Sequence, residues 1–419
     1  MNAEILRHLK HNMTVNLMDG AFFGFGAGFA SFVTILPLFM RTMTSSPILI
    51  GLIPAIHAAG WQLPQIFTAG WITRRRQVTP LVIGLTSLER LPYLGLALAA
   101  FFLPRLGAQV TLVITFALLV WQGLGAGFTA NPWQTMIAKI IPGERRGTFF
   151  GMQGGLANLF ASIGAIIAGL ILGRVDSPWD FTWCFLICFG LLLISWVFMA
   201  LTREPASQPP ELDEEALPIS AIGQVGTILR KDHNFRWFLI ARAISQLAIM
   251  GYAFYAIYAV DHHGVTEVQI GLMTGVLMGA QVAANFVMGW LGDRIGHRNV
   301  MEFGLVAMAA SALLAWWAPA PGWFFLVFTL AALGNVALWT VALSMTLEYG
   351  SESERPTYIG MTNTLTAPAN ILAPFLGGWL ANSFGYPATF AASAIGGLLA
   401  AGVFHIFVKH SSGEELNQA

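Results

Sequence analysis

Charge is what this chain of 419 residues has least of. Asp, Glu, Lys and Arg together make up 10%, against about 25% in a typical soluble domain, too few to clothe the surface of a soluble fold of this size. Cysteine is scarcer still. Cys184 and Cys188 lie four apart in an apolar run, on one helical face, where they read as small packing residues and imply no structural disulfide. No Gly-x-x-x-x-Gly-Lys-Ser/Thr phosphate loop is present, so ATP-driven pumping by this chain alone is not expected. No Ser-His-Asp or His-Glu-x-x-His arrangement argues for an enzyme, and neither a metal nor a cofactor is expected. The net charge is zero, so nothing electrostatic points to nucleic acid.

What the chain has instead is apolar length: 56% of residues are hydrophobic and the mean hydropathy is +0.66. A helix needs about 20 apolar residues to cross a bilayer. Runs of that kind lie near 13–40, 48–72, 79–104, 108–138, 148–172 and 181–202, and again near 236–260, 268–291, 299–318, 322–348, 357–382 and 386–408. We number these spans one to twelve. The first is too long for a signal-peptide core and reads as an uncleaved helix. Between the sixes lies a polar stretch, Arg203 to Asn234. Its Pro- and acid-rich start, Glu204 to Pro218, suits an extended linker. Apolar Ile222, Val225 and Leu229 then fall at helical spacing, as in a short helix on the membrane surface. The expected domains are residues 1–202, a linker over 203–235, and 236–419.

Basic residues set the orientation. Of 21 Lys and Arg, three lie in one set of loops (Arg41, Arg105, Arg174) and two within spans (Arg90, Arg242); the rest lie in the N-terminus, the even-numbered loops, the linker or the C-terminus. The positive-inside rule then places both termini in the cytoplasm of a multi-pass plasma (inner) membrane protein.

The two sixes also repeat. Ile50-Gly51-Leu52 returns as Ile270-Gly271-Leu272, an offset of 220, and Gly70-Trp71-Ile72 as Gly289-Trp290-Leu291. Arg146-Gly147-Thr148-Phe149-Phe150-Gly151-Met152 matches Arg355-Pro356-Thr357-Tyr358-Ile359-Gly360-Met361. Parallel six-helix repeats mark one transporter architecture. Between spans eight and nine, Gly289-Trp290-Leu291-Gly292-Asp293-Arg294-Ile295-Gly296-His297-Arg298 resembles the short cytoplasmic loop motif of the major facilitator superfamily, and the resemblance extends over essentially the whole chain. It implies an all-α membrane protein of twelve transmembrane helices in two pseudo-symmetric six-helix bundles. It also implies a secondary transporter, and a latch on the inner gate built from Gly289, Gly292, Asp293, Arg294 and Arg298. The first-half loop, Gly70-Trp71-Ile72-Thr73-Arg74-Arg75-Arg76, departs from the motif, with Arg74 where the acid belongs.

Charges within spans are costly and default to functional roles. Asp19, Glu89 and His57 are the candidate proton carriers. Glu89 has Tyr93 one turn away as a hydrogen-bond donor, and a structural role is its alternative. Asp19 and Arg242 lie on spans that the resemblance places beside a central cavity. They are open to a mutual ion pair, to anion binding by Arg242, or to snorkelling at the interface. His57, Trp61 and Gln65 share one face of span two at i, i+4, i+8. The repeat carries Trp61 onto Gln281 and Gln65 onto Asn285 of span eight, so these five read as cavity walls or as interhelical hydrogen-bonding groups. Gln246 and Tyr255 of span seven, and Asn335 and Trp339 of span ten, complete the binding candidates. Gly20, Gly24 and Gly28 form a close-packing stripe.

Amides and aromatic planes suit a small neutral or amphiphilic organic substrate, moved by a monomer by alternating access and coupled to protons. The rival reading is a transport-inactive member serving as a receptor or as an assembly factor for membrane proteins. A reporter fused after Ala419 is expected to be active only on the cytoplasmic side; activity confined to the outer side would overturn the topology.

Overall fold

No water in a bilayer core can satisfy a bare N–H or C=O, so each apolar run must satisfy its own backbone, which a helix does. A computed structural model of the chain describes residues 3–62, 64, 76–205, 226–346, 348–349 and 355–409. Within the described residues the apolar runs are helical and no strand occurs. Span one forms α1 (Ala3–Phe29) and, after a break, α2 (Ile35–Arg41); span two forms α3 (Pro47–Gln62). Spans three to six are α4 (Thr79–Leu106), α5 (Ala108–Ile140), α6 (Gly143–Leu172) and α7 (Trp179–Ala200).

Span seven comes in pieces: α8 (His233–Ser245), two 3-10 turns (Gln246–Ile249 and Tyr252–Phe254) and α9 (Tyr255–His263). α10 (Glu267–Ile295) and α11 (His297–Trp317) follow. Span ten is α12 (Trp323–Val336), a π-helical stretch (Ala337–Val341) and α13 (Ala342–Thr346). α14 (Arg355–Phe384) and α15 (Tyr386–Phe407) end the series. Nine helical stretches among the described residues are long and apolar enough to cross a membrane. The protein is an all-α membrane protein, with helix on each of the twelve apolar runs among the described residues. Most of the expected surface helix lies outside the described residues; 226–231 is helical.

Packing divides the chain into two compact units, residues 1–212 with 256–282, and residues 213–255 with 283–419. This differs from the expected halves over 256–282. That segment is held in the first unit at three places. Gly271 of α10 meets Gly169 of α6 so closely that a Cβ on either would strike backbone. Ser162 Oγ donates to the Gly275 carbonyl at 2.8 Å, and Arg41 of α2 forms an ion pair with Asp261 of α9.

Elsewhere in the first unit, α1 lies along α6 on the expected glycine stripe: a Cβ at Gly24 would run into the Ala157 backbone, and one at Gly28 into that of Ala161. Beyond α7 the chain is tied down. Asn12 Nδ2 donates to the Arg203 carbonyl at 2.9 Å and Asn12 Oδ1 accepts from Arg203 N at 3.0 Å. Glu204 Oε2 accepts from the Val78 and Thr79 amides, both at 2.7 Å, capping α4, and its carboxylate pairs with Lys139 at 3.2 Å. In the second unit α11 packs on α12 and α15 around fully buried Phe324, Phe328, Phe390 and Phe404. There Asn234 clasps Lys409 through the same two-bond ring, at 3.4 and 2.8 Å.

The interruptions of spans one and seven correspond. The offset of 220 carries residues 30–34, where α1 gives way to α2, onto 250–254, within the irregular part of span seven. Each break needs help from side chains. Ser31 Oγ accepts from Val33 N at 3.3 Å. In the second unit Ser393 of α15 donates to the Ala248 carbonyl and accepts from the Gly251 amide.

Gly24→Leu is expected to destabilise the protein by about 1–3 kcal/mol or more through overpacking against α6, read as a lowered melting temperature of the purified protein. An unchanged melting temperature would contradict the close contact.

Candidate functional site

Interrupted spans at matching positions of a repeated sequence are where irregular backbone and polar side chains meet. In the first unit, a run of alternate glycines lets α5 come between two neighbours. Gly123 and Gly127 meet α3 at Gly60, whereas Gly125 abuts the backbone of Leu88 and Glu89 on α4. The α3 contact brings His57 Nδ1 to 3.1 Å from Gln122 Oε1. With Nδ1–H donating, Nε2 is left as an acceptor. Phe32, from the break in span one, covers the imidazole with ring centroids 4.2 Å apart. Trp61 is half-buried one turn further along α3, and Gln65 lies outside the described residues. Gln122 was missed from the sequence; an amide beside a glycine run in an apolar span was its only signal.

Asp19 and Arg90 meet each other, so Asp19 is not the partner of Arg242. Arg90 Nη2 lies 3.4 Å from Asp19 Oδ1, and Ser195 Oγ bridges the two at 2.6 Å to Asp19 and 2.9 Å to Arg90. The guanidinium also donates to the Leu192 carbonyl at 3.0 Å and to Thr86. Both charges are buried, and neither snorkels. They join α1, α4 and α7 as a satisfied network, which reads as structural. Glu89 differs. It is half-buried, and among the described residues its carboxylate has no hydrogen-bond partner; the hydroxyl of Tyr93 does not bond to it.

In the second unit Arg242 stands one turn before the break, 8% exposed. Its Nη1 donates to the Leu338 carbonyl at 2.8 Å, within the π-helical stretch of span ten. Such stretches free carbonyls from the regular ladder and recur at functional sites. Arg242 Nε is buried and has no hydrogen-bond partner among the described residues, which costs about 1–3 kcal/mol or more for a charged group. Gln246 Nε2 turns back onto the Arg242 carbonyl at 3.2 Å. Thr340, from the same stretch, donates to Asn285 Oδ1 at 2.7 Å, an interhelical hydrogen bond, while Trp339 beside it is 49% exposed. Asn335 is half-buried on α12; Gln281, which belongs to the first unit, is buried on α10. Tyr255, expected to line a site, is instead fully buried, bonded to Ser311 at 2.8 Å and packed on Phe328 and Phe390.

The loop motif turns at Gly296, whose φ of +87° favours glycine. Gly289 is exposed and Gly292 buried, with the His297 ring over it. Arg294 lies over the Trp290 ring at 4.0 Å, and His297 Nδ1 is 2.6 Å from Glu348 Oε1. Arg298 pairs with Glu302 at 2.8 Å and donates to the His405 carbonyl at 2.5 Å. The Asp293 side chain lies outside the described residues.

The family model described as Major Facilitator Superfamily matches residues 89–264 and 238–419. The chain belongs to the major facilitator superfamily. Among curated proteins, multidrug resistance protein MdtL of Shewanella sp. strain ANA-3 is 24% identical over 140 residues, 33% of this chain and 35% of that protein. The alignment thus spans about a third of that relative. The crystal structure of a D-xylose-proton symporter aligns over 96% of this chain and 98% of its own, with a TM-score of 0.72 and 16% identity. That of the nucleoside transporter NupG covers 95% of this chain and 100% of its own, at TM-score 0.69 and 13% identity. This superfamily member shares the fold of those two structures, and the loop motif falls within its second matched stretch.

Asp19→Asn leaves Arg90 buried without a counter-charge and is expected to cost about 3–5 kcal/mol, measured by denaturant unfolding in detergent. Wild-type stability in that variant would mean that the ion pair does not hold the three helices together.

Proposed function

We propose that this chain carries a small amphiphilic organic molecule across the inner membrane by alternating access, driven by protons that Glu89 binds and releases. The single observation behind the coupling is the contrast between two carboxylates in the first unit. Asp19 is enclosed by an arginine and a serine; Glu89 is half-buried with no partner among the described residues. A carboxylate free to change its protonation state within a span is what proton coupling requires. His57, held by Gln122 and faced by Phe32, gives an aromatic and amide surface for the cargo, with Trp61 beside it. The similar proteins are named for drug resistance, a proton-coupled sugar and a nucleoside, which agrees with an organic cargo.

The rest of the reading is of one piece with this. The sequence halves 1–202 and 236–419 act as the moving parts about the linker, both termini are cytoplasmic, and the loop around Asp293 latches the inner side. The protein works as a monomer on one small-molecule substrate and on protons.

The test uses proteoliposomes and a cargo chosen from a thermal-shift screen, in which ligands of the native state raise apparent stability. Glu89→Gln is expected to abolish accumulation driven by a pH gradient while leaving exchange of labelled for unlabelled cargo within about twofold. Gradient-driven accumulation that survives in Glu89→Gln removes Glu89 from the coupling.

A further inference from the structure

The two arginines buried within spans are in opposite states. Arg90 uses Nε, Nη1 and Nη2 on protein acceptors, an aspartate among them. Arg242 uses Nη1 alone, on one carbonyl; its Nε is buried without a partner, and among the described residues Nη2 also has none and no carboxylate pairs with it. Arginine remains charged, and a buried charge without a counter-charge is a poor resting state for a membrane protein. The two donors left over are not arbitrary. Nε and Nη2 form one edge of the planar fork, the edge that takes both oxygens of a carboxylate or phosphate in parallel hydrogen bonds.

The surroundings preserve that edge. The π-helical turn of span ten presents the Leu338 carbonyl to Nη1, fixing the plane of the guanidinium. Gln246 and Ser245 bond to the Arg242 carbonyl and so hold its backbone at the end of α8. Directly beyond, span seven loses regular helix from Gln246 to Phe254, which leaves irregular backbone next to the buried Nε. We infer that Arg242 is the subsite for an oxyanion, bound edge-on through Nε and Nη2, and that the polar end of the transported amphiphile is a carboxylate or a phosphate ester. This rests on the transporter reading and narrows its substrate class to organic anions and zwitterions. The same chemistry could be met by the phosphate of an anionic lipid.

The experiment compares sodium benzoate with benzamide, its neutral counterpart of similar shape, as ligands of the full-length protein in phosphatidylcholine nanodiscs. Benzoate is expected to raise the melting temperature in a saturable way, and benzamide to leave it unchanged. Arg242→Gln should abolish the benzoate shift. Arg242→Lys, which keeps the charge without the fork, should weaken benzoate by about tenfold, the loss expected for one charge-assisted hydrogen bond. Equal shifts from benzoate and benzamide overturn the inference, and because that comparison uses the unaltered chain it stands even if Arg242→Gln fails to fold. So does a benzoate shift that survives in Arg242→Gln.

Phosphatidylglycerol nanodiscs separate the sources. An Arg242-dependent stabilisation there without benzoate, to which benzoate adds nothing, assigns the oxyanion to a lipid headgroup. Benzoate binding retained in phosphatidylglycerol assigns it to the cargo. Proton-coupled flux of a neutral compound in liposomes, with no benzoate binding, sinks the oxyanion site and leaves the transporter reading intact; absence of flux for any compound that binds sinks that reading instead.

Discussion

A backbone group that leaves its helix inside a membrane must be met by a side chain or it will not leave, and the placing of the irregular segments follows from that requirement. Span seven can lose its regular ladder because Ser393 bonds to both the Ala248 carbonyl and the Gly251 amide. Span ten can widen into a π-helical turn because Arg242 takes the Leu338 carbonyl. Polar residues in this chain are few, and several of them sit where regular helix fails. Irregular backbone and polar side chains are therefore found together.

Glycine solves the complementary problem of bringing regular helices close. Through Gly123, Gly125 and Gly127, α5 touches α3 on one side and α4 on the other. That shared contact sets His57 against Gln122 and puts the backbone of Glu89 on the opposite flank of the same helix. On the α4 side, the ion pair of Asp19 with Arg90 holds α1 and α7 in place. Satisfied charge thus serves as scaffold, whereas among the described residues the Glu89 carboxylate and the Nε of Arg242 have no hydrogen-bond partner.

Much of this was legible in the sequence. Twelve apolar runs, the offset of 220 and the loop from Gly289 to Arg298 were enough for the fold, because hydropathy and repetition are properties of the chain itself. The glycine stripe at 20, 24 and 28 was legible for the same reason, since helical spacing fixes the face. The partners were not. Asp19 pairs with Arg90, 71 positions away, and nothing in either neighbourhood names the other. Tyr255 carries a hydroxyl that suits a binding site as well as a core, and only Ser311, on another helix, decides between them. The breaks were hidden too: no proline interrupts residues 30–34 or 246–254, and the residues that permit the second one lie on α15.

The paired asparagine clasps have a consequence for how the molecule is made. Asn12 closes on Arg203, so the first ring of helices is locked by a residue synthesised almost two hundred positions after its partner. Domains fold as units while the chain is still being made, N-terminal first, and here the Asn12 clasp waits for the residues just beyond α7 to leave the ribosome. Asn234 closes on Lys409 in the same way. Each clasp therefore forms only when the trailing end of its run of spans has been made, and a chain stalled before residue 203 has α1 without that one fastening, held by its contacts with α6 and by the Asp19–Arg90 pair.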